Sequence, residues 1–166
     1  MAKDLVSAVV GVLCLFTVLT VASSGPAPAA DPASFRAFLP RFEAGLHGFV
    51  NGDPTLWNRH VSRTAQGSIL GGFGGYEVSG KVDARYAWAA SQFEPSGATV
   101  RVEYLSTVVS GDLAYTVAIE RSRVRVRGTP GPAPMALRVT HVFRRERGEW
   151  RLLHRHADDN VTRAGR

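Results

Sequence analysis

The feature that most constrains this chain is a set of four long, β-branched stretches between Thr99 and Asp158, separated by little more than turns. They run from about Thr99 to Val109, Leu113 to Val126, Leu137 to Glu146 and Glu149 to Asp158, and all are rich in Val, Thr and aromatic residues. "SGD" at 110–112 and "ERGE" at 146–149 are too short for anything but hairpins, so these neighbours pair antiparallel. "RGTPGPAPMA" makes a longer, proline-stiffened connection between the two middle strands. A meander of this kind needs cover on at least one face, and the residues before it supply helices.

From Ala33 to Val50, apolar residues at Phe35, Phe38, Leu39, Phe42, Leu46, Phe49 and Val50 recur every three or four positions, which gives one apolar helical face. Pro40 lies inside that stretch, so a kink or a late start is expected there. Gly52 ends the helix, Asp53 can cap the next and Pro54 suits its first turn. That second, short helix carries Leu56 and Trp57. A brief strand is expected at Ser68 to Leu70, followed by a glycine-rich bend that lacks the lysine and spacing of a phosphate loop. A third helix runs from about Lys81 to Phe93, with Val82, Tyr86, Ala89, Ala90 and Phe93 on one side. Helices in front and a strand meander behind predict an α+β fold: a curved antiparallel sheet with about three N-terminal helices on one face.

Residues 1–30 stand apart. A short start with Lys3 is followed by 18 mostly apolar residues, Leu5 to Ala22, and then by "SSGPAPAADP". This is the pattern of a secretory signal cleaved after Ala30. The length also sits at the lower edge of what spans a bilayer, so an N-terminal anchor is the alternative and the only route to a membrane. The expected layout is therefore a signal or anchor at 1–30, a domain at 31–160 and a tail at 161–166. The expected location is secreted or in the cell envelope. Cys14 is the only cysteine, so the domain is held by its core alone and cannot use a thiolate-ligated metal. The net charge of +6 permits an anionic ligand or surface. No aromatic interleaving accompanies the arginines, so a nucleic-acid partner is not expected.

Alternation along the strands separates two faces. Leu113, Tyr115, Val117 and Ile119 oppose Ala114, Thr116, Ala118 and Glu120; Leu137, Val139, His141 and Phe143 oppose Arg138, Thr140, Val142 and Arg144. In the last strand Trp150, Leu152, His154 and His156 oppose Arg151, Leu153, Arg155 and Ala157. A small-residue face with single charges at Glu120, Arg138 and Arg155 suits a ligand cavity. A bulky apolar face with an occasional histidine suits a subunit interface. The reverse, with the bulky face as ordinary core and the arginines in water, is left open by alternation alone.

"GDPTLW", "GGFGGYEVSG", "SGDLAYTVAIERS", "LRVTHVFRRERGEW" and "WRLLHRHAD", in this order, resemble a SnoaL-like member of the nuclear transport factor 2-like superfamily, which includes ketosteroid isomerase. The resemblance covers about Phe35 to Asp158. It implies a cone-shaped fold whose interior binds a small, partly apolar molecule, and a homodimer formed through the outer sheet face. By the same analogy the Arg138 face lines the interior. If there is catalysis, it is cofactor-free isomerase, cyclase or dehydratase chemistry with Glu120 or Glu103 as the base, opposite a donor such as Tyr76, Tyr86, Arg138 or Arg155. Arg138 and Arg155 would orient an acidic or carbonyl group with Glu120 bridging them, Tyr76 would also bind the substrate, and Trp57 and His60 would close the mouth. The plainer alternatives are a Glu120–Arg138 pair that only shapes the cavity floor, Trp57 as core, and a non-catalytic ligand-binding or protein-association module. His154, His156 and Asp158 share a face but supply too few ligands for a metal site, so none is expected.

Overall fold

A computed structural model describes residues 31–78, 81–159 and 161. The expected signal or anchor at 1–30 and nearly all of the expected tail lie outside these residues. Helix α1 spans Pro32–Phe49, and Asp31 caps it by accepting a hydrogen bond from Ala33 N at 3.0 Å. The helix runs through Pro40 instead of starting there. Arg36 and Pro40 are both exposed, so the Arg36 carbonyl that loses its amide partner faces water. The opposite side buries Phe35, Phe38, Phe42 and Leu46.

Gly52, at φ 88°, turns the chain so closely past Phe93 that a Cβ there would sit 2.9 Å from its carbonyl oxygen. Asp53 then accepts from Thr55 N at 2.9 Å and starts α2, Thr55–Arg59. Strands β1 (Ser68–Leu70) and β2 (Tyr76–Glu77) flank the glycine run. Helix α3 spans Val82–Ala90 and stops short of Phe93, which opens a two-residue strand β3 (Phe93–Glu94). The long strands are β4 (Val100–Ser110), β5 (Leu113–Val126), β6 (Ala133–Glu146) and β7 (Glu149–Asp158).

The sheet runs β2-β1-β7-β6-β5, and the outer edge of β5 is shared between β4 and β3. All pairings are antiparallel except β1 with β7. The α+β class with helices on the concave face of a curved antiparallel sheet holds as expected, with β2 and β3 as two extra short strands.

Register corrects part of the face assignment. Residues directly opposite one another share a face, and Glu120 pairs with Leu137 while Ile119 pairs with Arg138. Arg138 therefore lies on the convex face, half exposed, with its Nε donating to Asp158 Oδ1 at 2.7 Å. It does not meet Glu120 and does not line the interior. The helices instead cover the small side of β5, Ala114, Thr116, Ala118 and Glu120, together with the bulky side of β6, Val139, His141 and Phe143.

Strand β7 contributes from both of its expected faces. Phe143 pairs with Leu152 but Val142 pairs with His154, so Leu153 is an extra residue in a β-bulge. Trp150 and Leu152 point inward before the bulge, and Arg155 and Ala157 point inward after it. Under α1 the core is aromatic: Phe35 meets Phe143 and Trp150 edge-on, with ring centroids 5.1 and 5.0 Å apart.

Candidate functional site

The bulge brings Arg155 across the concave face to Glu120. Arg155 Nη1 donates to Glu120 Oε1 at 2.8 Å and Nη2 to Oε2 at 2.7 Å, a two-pronged fork. Both side chains are less than a tenth exposed. Nη1 also donates to His141 Nε2 at 2.5 Å, so that nitrogen carries no proton and the ring is neutral with its hydrogen on Nδ1. Nδ1 lies 3.4 Å from Thr116 Oγ1, across the β5–β6 ladder. The result is one chain of groups: Thr116, His141, Arg155, Glu120.

Its electrostatics follow from burial. Desolvation, then the Arg155 guanidinium and His154, hold the His141 pKa well below the ordinary histidine range. For Arg155, burial works against charge, and the Glu120 carboxylate outweighs it and leaves its pKa raised. Tyr86 is fully buried beside the pair, and burial pushes its phenol up. Trp57 lies with its ring 5.5 Å from the Arg155 guanidinium carbon. Trp57 Nε1 is buried and has no hydrogen-bond partner.

The space left over is small. A cavity of about 30 Å³ adjoins Glu120 and Arg155 and is lined mainly by Leu46, Phe49, Phe93, Met135 and Leu137. That is room for about two waters, whereas small-molecule sites usually hold roughly 300 Å³ or more.

The other expected site residues do not join this cluster. Glu103 stands on the convex face beside Arg121, 3.7 Å away. Its cross-strand partner is Ile119, so it cannot serve as a base inside the cone. Tyr76 is 75 % exposed on the edge strand β2. His60 sits half-buried at the end of α2, edge-on to Phe38 and Phe42. Of the expected set, then, the structure gathers Glu120, Arg155 and Trp57, and separates Arg138, Glu103, Tyr76 and His60 from them. His141 and Thr116 belong to the cluster without having been marked as site residues. Among the described residues no group of three or more His, Cys, Asp or Glu could hold a metal ion. His154 is engaged by Ser68 at 2.9 Å.

Three helices closed against the concave face of a curled antiparallel sheet make a nuclear transport factor 2-like fold. The sequence matches the SnoaL-like domain over residues 50–157, and the chain belongs to that family. No curated protein matches it. Solved structures share the fold at low identity. A nuclear transport factor 2-like superfamily protein from Salmonella enterica serovar Typhimurium is 16% identical, with a TM-score of 0.64 over 80% of this chain and 92% of that one. A ketosteroid isomerase-like protein from Erwinia carotovora atroseptica is 15% identical, with a TM-score of 0.61 over 78% and 96%. The CaMKII hub of S. rosetta is 16% identical, with a TM-score of 0.56 over 80% and 97%.

Proposed function

We propose that this chain is an exported, non-catalytic SnoaL-like association module that pairs with a second copy of itself through the convex face of its sheet. The contrast between the two faces of β4 to β6 carries this reading. The concave side is nearly filled. On the convex side Leu105, Val108, Leu113 and Tyr115 are exposed, with Val117, Ile119 and Val142 half-buried among them. Contiguous apolar surface of this kind marks an interaction site. Three strands about 4.8 Å apart and ten residues at about 3.3 Å each give a face on the order of 500 Å², a little over half of the roughly 800 Å² that each partner gives a standard interface. Glu103, Arg121 and Arg138 supply the charged rim such interfaces carry. Export rests on the pattern of residues 1–30.

Proton-transfer chemistry of the isomerase, cyclase or dehydratase kind fits this interior poorly. Both Glu120 oxygens are committed to Arg155, so taking a proton means breaking a buried pair. Sedimentation equilibrium of the purified protein tests the main reading. A dimer is expected, and Leu113→Arg with Tyr115→Arg should give a folded monomer; a wild type that stays monomeric at tens of micromolar removes it.

A second reading is favoured by the lining of the closed cone. Phe49, Met135 and Leu137 form an apolar approach that ends on Arg155, so a small, partly apolar ligand with a carbonyl or acidic group would fit there once Met135 and Leu137 swing aside. Native mass spectrometry should then find a co-purified compound that Leu137→Trp excludes. A bare wild-type mass favours association alone.

A further inference from the structure

The convex face and the cone leave one large concave region unassigned. A groove of about 1250 Å³ opens where the β6–β7 turn meets α1 and the segment after α2. It lies toward the turn end of the strands from the Arg155 cluster: His141, which pairs with Arg155, and Glu146 are five residues apart on β6, on the order of 16 Å.

Five arginines line this groove, Arg41, Arg59, Arg63, Arg147 and Arg151, against Glu146 and Glu149. The two carboxylates are already engaged. Glu146 Oε1 accepts from Ser62 Oγ at 2.6 Å and from Arg144 Nη2 at 2.8 Å, and Glu149 pairs with Arg151. Arg63 leans on Asp83 at 3.4 Å. Among the described residues no carboxylate lies within ion-pair distance of Arg41, Arg59 or Arg147. Three arginines from three different elements therefore line one concavity with no ion-pair partner among the described residues.

Arg147 adds an independent observation. It stands in the left-handed region at φ 51°, followed by Gly148 at φ 86°, in the two-residue turn between β6 and β7. Gly, Asn or Asp fills such a position at lower cost. The chain instead keeps a long cation there, at the rim of the groove, which is the kind of local strain that collects at functional sites. His60 forms part of the groove wall. Its pKa is lowered by burial and then by Arg151, against a smaller opposing effect of its hydrogen bond to the Arg41 backbone.

We propose that this groove binds a small polyanion, a compound carrying two or more phosphate or carboxylate groups, held by Arg41, Arg59 and Arg147. Single-stranded nucleic acid fits less well, because the aromatic rings of the groove, Phe38 and Trp150, are buried and offer no stacking platform.

Isothermal titration of the purified protein with inorganic pyrophosphate and with citrate, at low ionic strength, tests the site. Binding of at least one is expected, weakening as salt is added. Arg147→Gly should weaken it roughly tenfold, as loss of a charge-assisted hydrogen bond does, while thermal unfolding stays the same or rises because the left-handed strain is relieved. Arg41→Gln should weaken binding similarly, and the His60 ring resonances should move on titration. Which anion binds better identifies the acid group. No heat with either anion overturns the proposal, and so does binding by both variants that equals wild type.

Discussion

Replacing Glu120 by leucine should cost far more than its two hydrogen bonds suggest. The charge centres of Glu120 and Arg155 lie about 4 Å apart, and at an effective dielectric near 20 their attraction is about 4 kcal/mol. Removing each ion from water costs several kcal/mol, so the intact pair is close to neutral for stability. Breaking it is another matter. Glu120→Leu leaves the Arg155 guanidinium, 8% exposed, without its counter-charge, and a loss of about 3 to 5 kcal/mol is expected. Arg155→Met should cost a similar amount, because it strands the Glu120 carboxylate and removes the donor to His141 Nε2. The double variant Glu120→Leu/Arg155→Met should lose less than either single one, since two apolar side chains then share the space beside Leu137 and Phe49. Equilibrium unfolding in urea, which unlike guanidinium chloride adds no salt, gives all four corners of the cycle. Tryptophan fluorescence reports the transition, with Trp57 contributing because its indole lies against Arg155. A Glu120→Leu loss below about 1 kcal/mol, or a double variant whose loss equals the sum of the singles, would refute the idea that the pair is a buried, mutually dependent unit.

Two further perturbations probe the same interior. His141 is held neutral in the folded protein, its pKa pushed down by burial and Arg155, while in the unfolded chain it titrates near 6.5. Stability should thus be level above that pH and fall below it, by up to about 1.4 kcal/mol per pH unit for each such histidine. His60 and His154 are lowered too and add to the slope. Urea unfolding between pH 8 and 5 should show the decline, and His141→Leu should reduce the slope by about one proton; a flat wild-type profile contradicts the assignment. Gly45→Ala should lower the melting temperature although alanine is the better helix former: its Cβ would sit 3.0 and 3.1 Å from the backbone N and Cα of Trp57, and overpacking of this kind costs about 1 to 3 kcal/mol. A rise on thermal melting would mean that α2 slides freely on α1.

The element order was legible because its signals are local. Helical spacing marked α1, and "SGD" and "ERGE" fixed two hairpins. The two-residue strands β2 and β3 have no periodicity to read, since each exists only because β1 or β5 offers an unpaired edge. The site was half legible for a related reason. Alternation says which residues of one strand share a face, but which residues of two strands share it depends on register, and register across β5 and β6 is set by the proline-stiffened connection between them. That connection pairs Glu120 with Leu137 and sends Arg138 outward. His141 was hidden by its company: between Val139 and Phe143 it read as one polar interruption of an apolar face, and only the pairing with Thr116 reveals its chain of contacts.

Strict alternation also forbids what β7 does. If Trp150 and Leu152 face the helices, the next inward residues should be His154 and His156, and Arg155 should sit in water with no route to Glu120. Leu153 removes the conflict by occupying a position with no partner on β6. One end of β7 then packs aromatic and aliphatic bulk under α1, and the other end delivers a guanidinium to the far end of the cone. Strand β4 has its own irregularity between Tyr104 and Ser106, which leaves Leu105 59% exposed on the convex side. Bulges bend and twist the strands that contain them, so these two extra leucines help curl the sheet that encloses the filled interior. One of them also adds to the apolar surface outside it. Curling the sheet and widening the exposed apolar surface outside it are therefore linked by geometry.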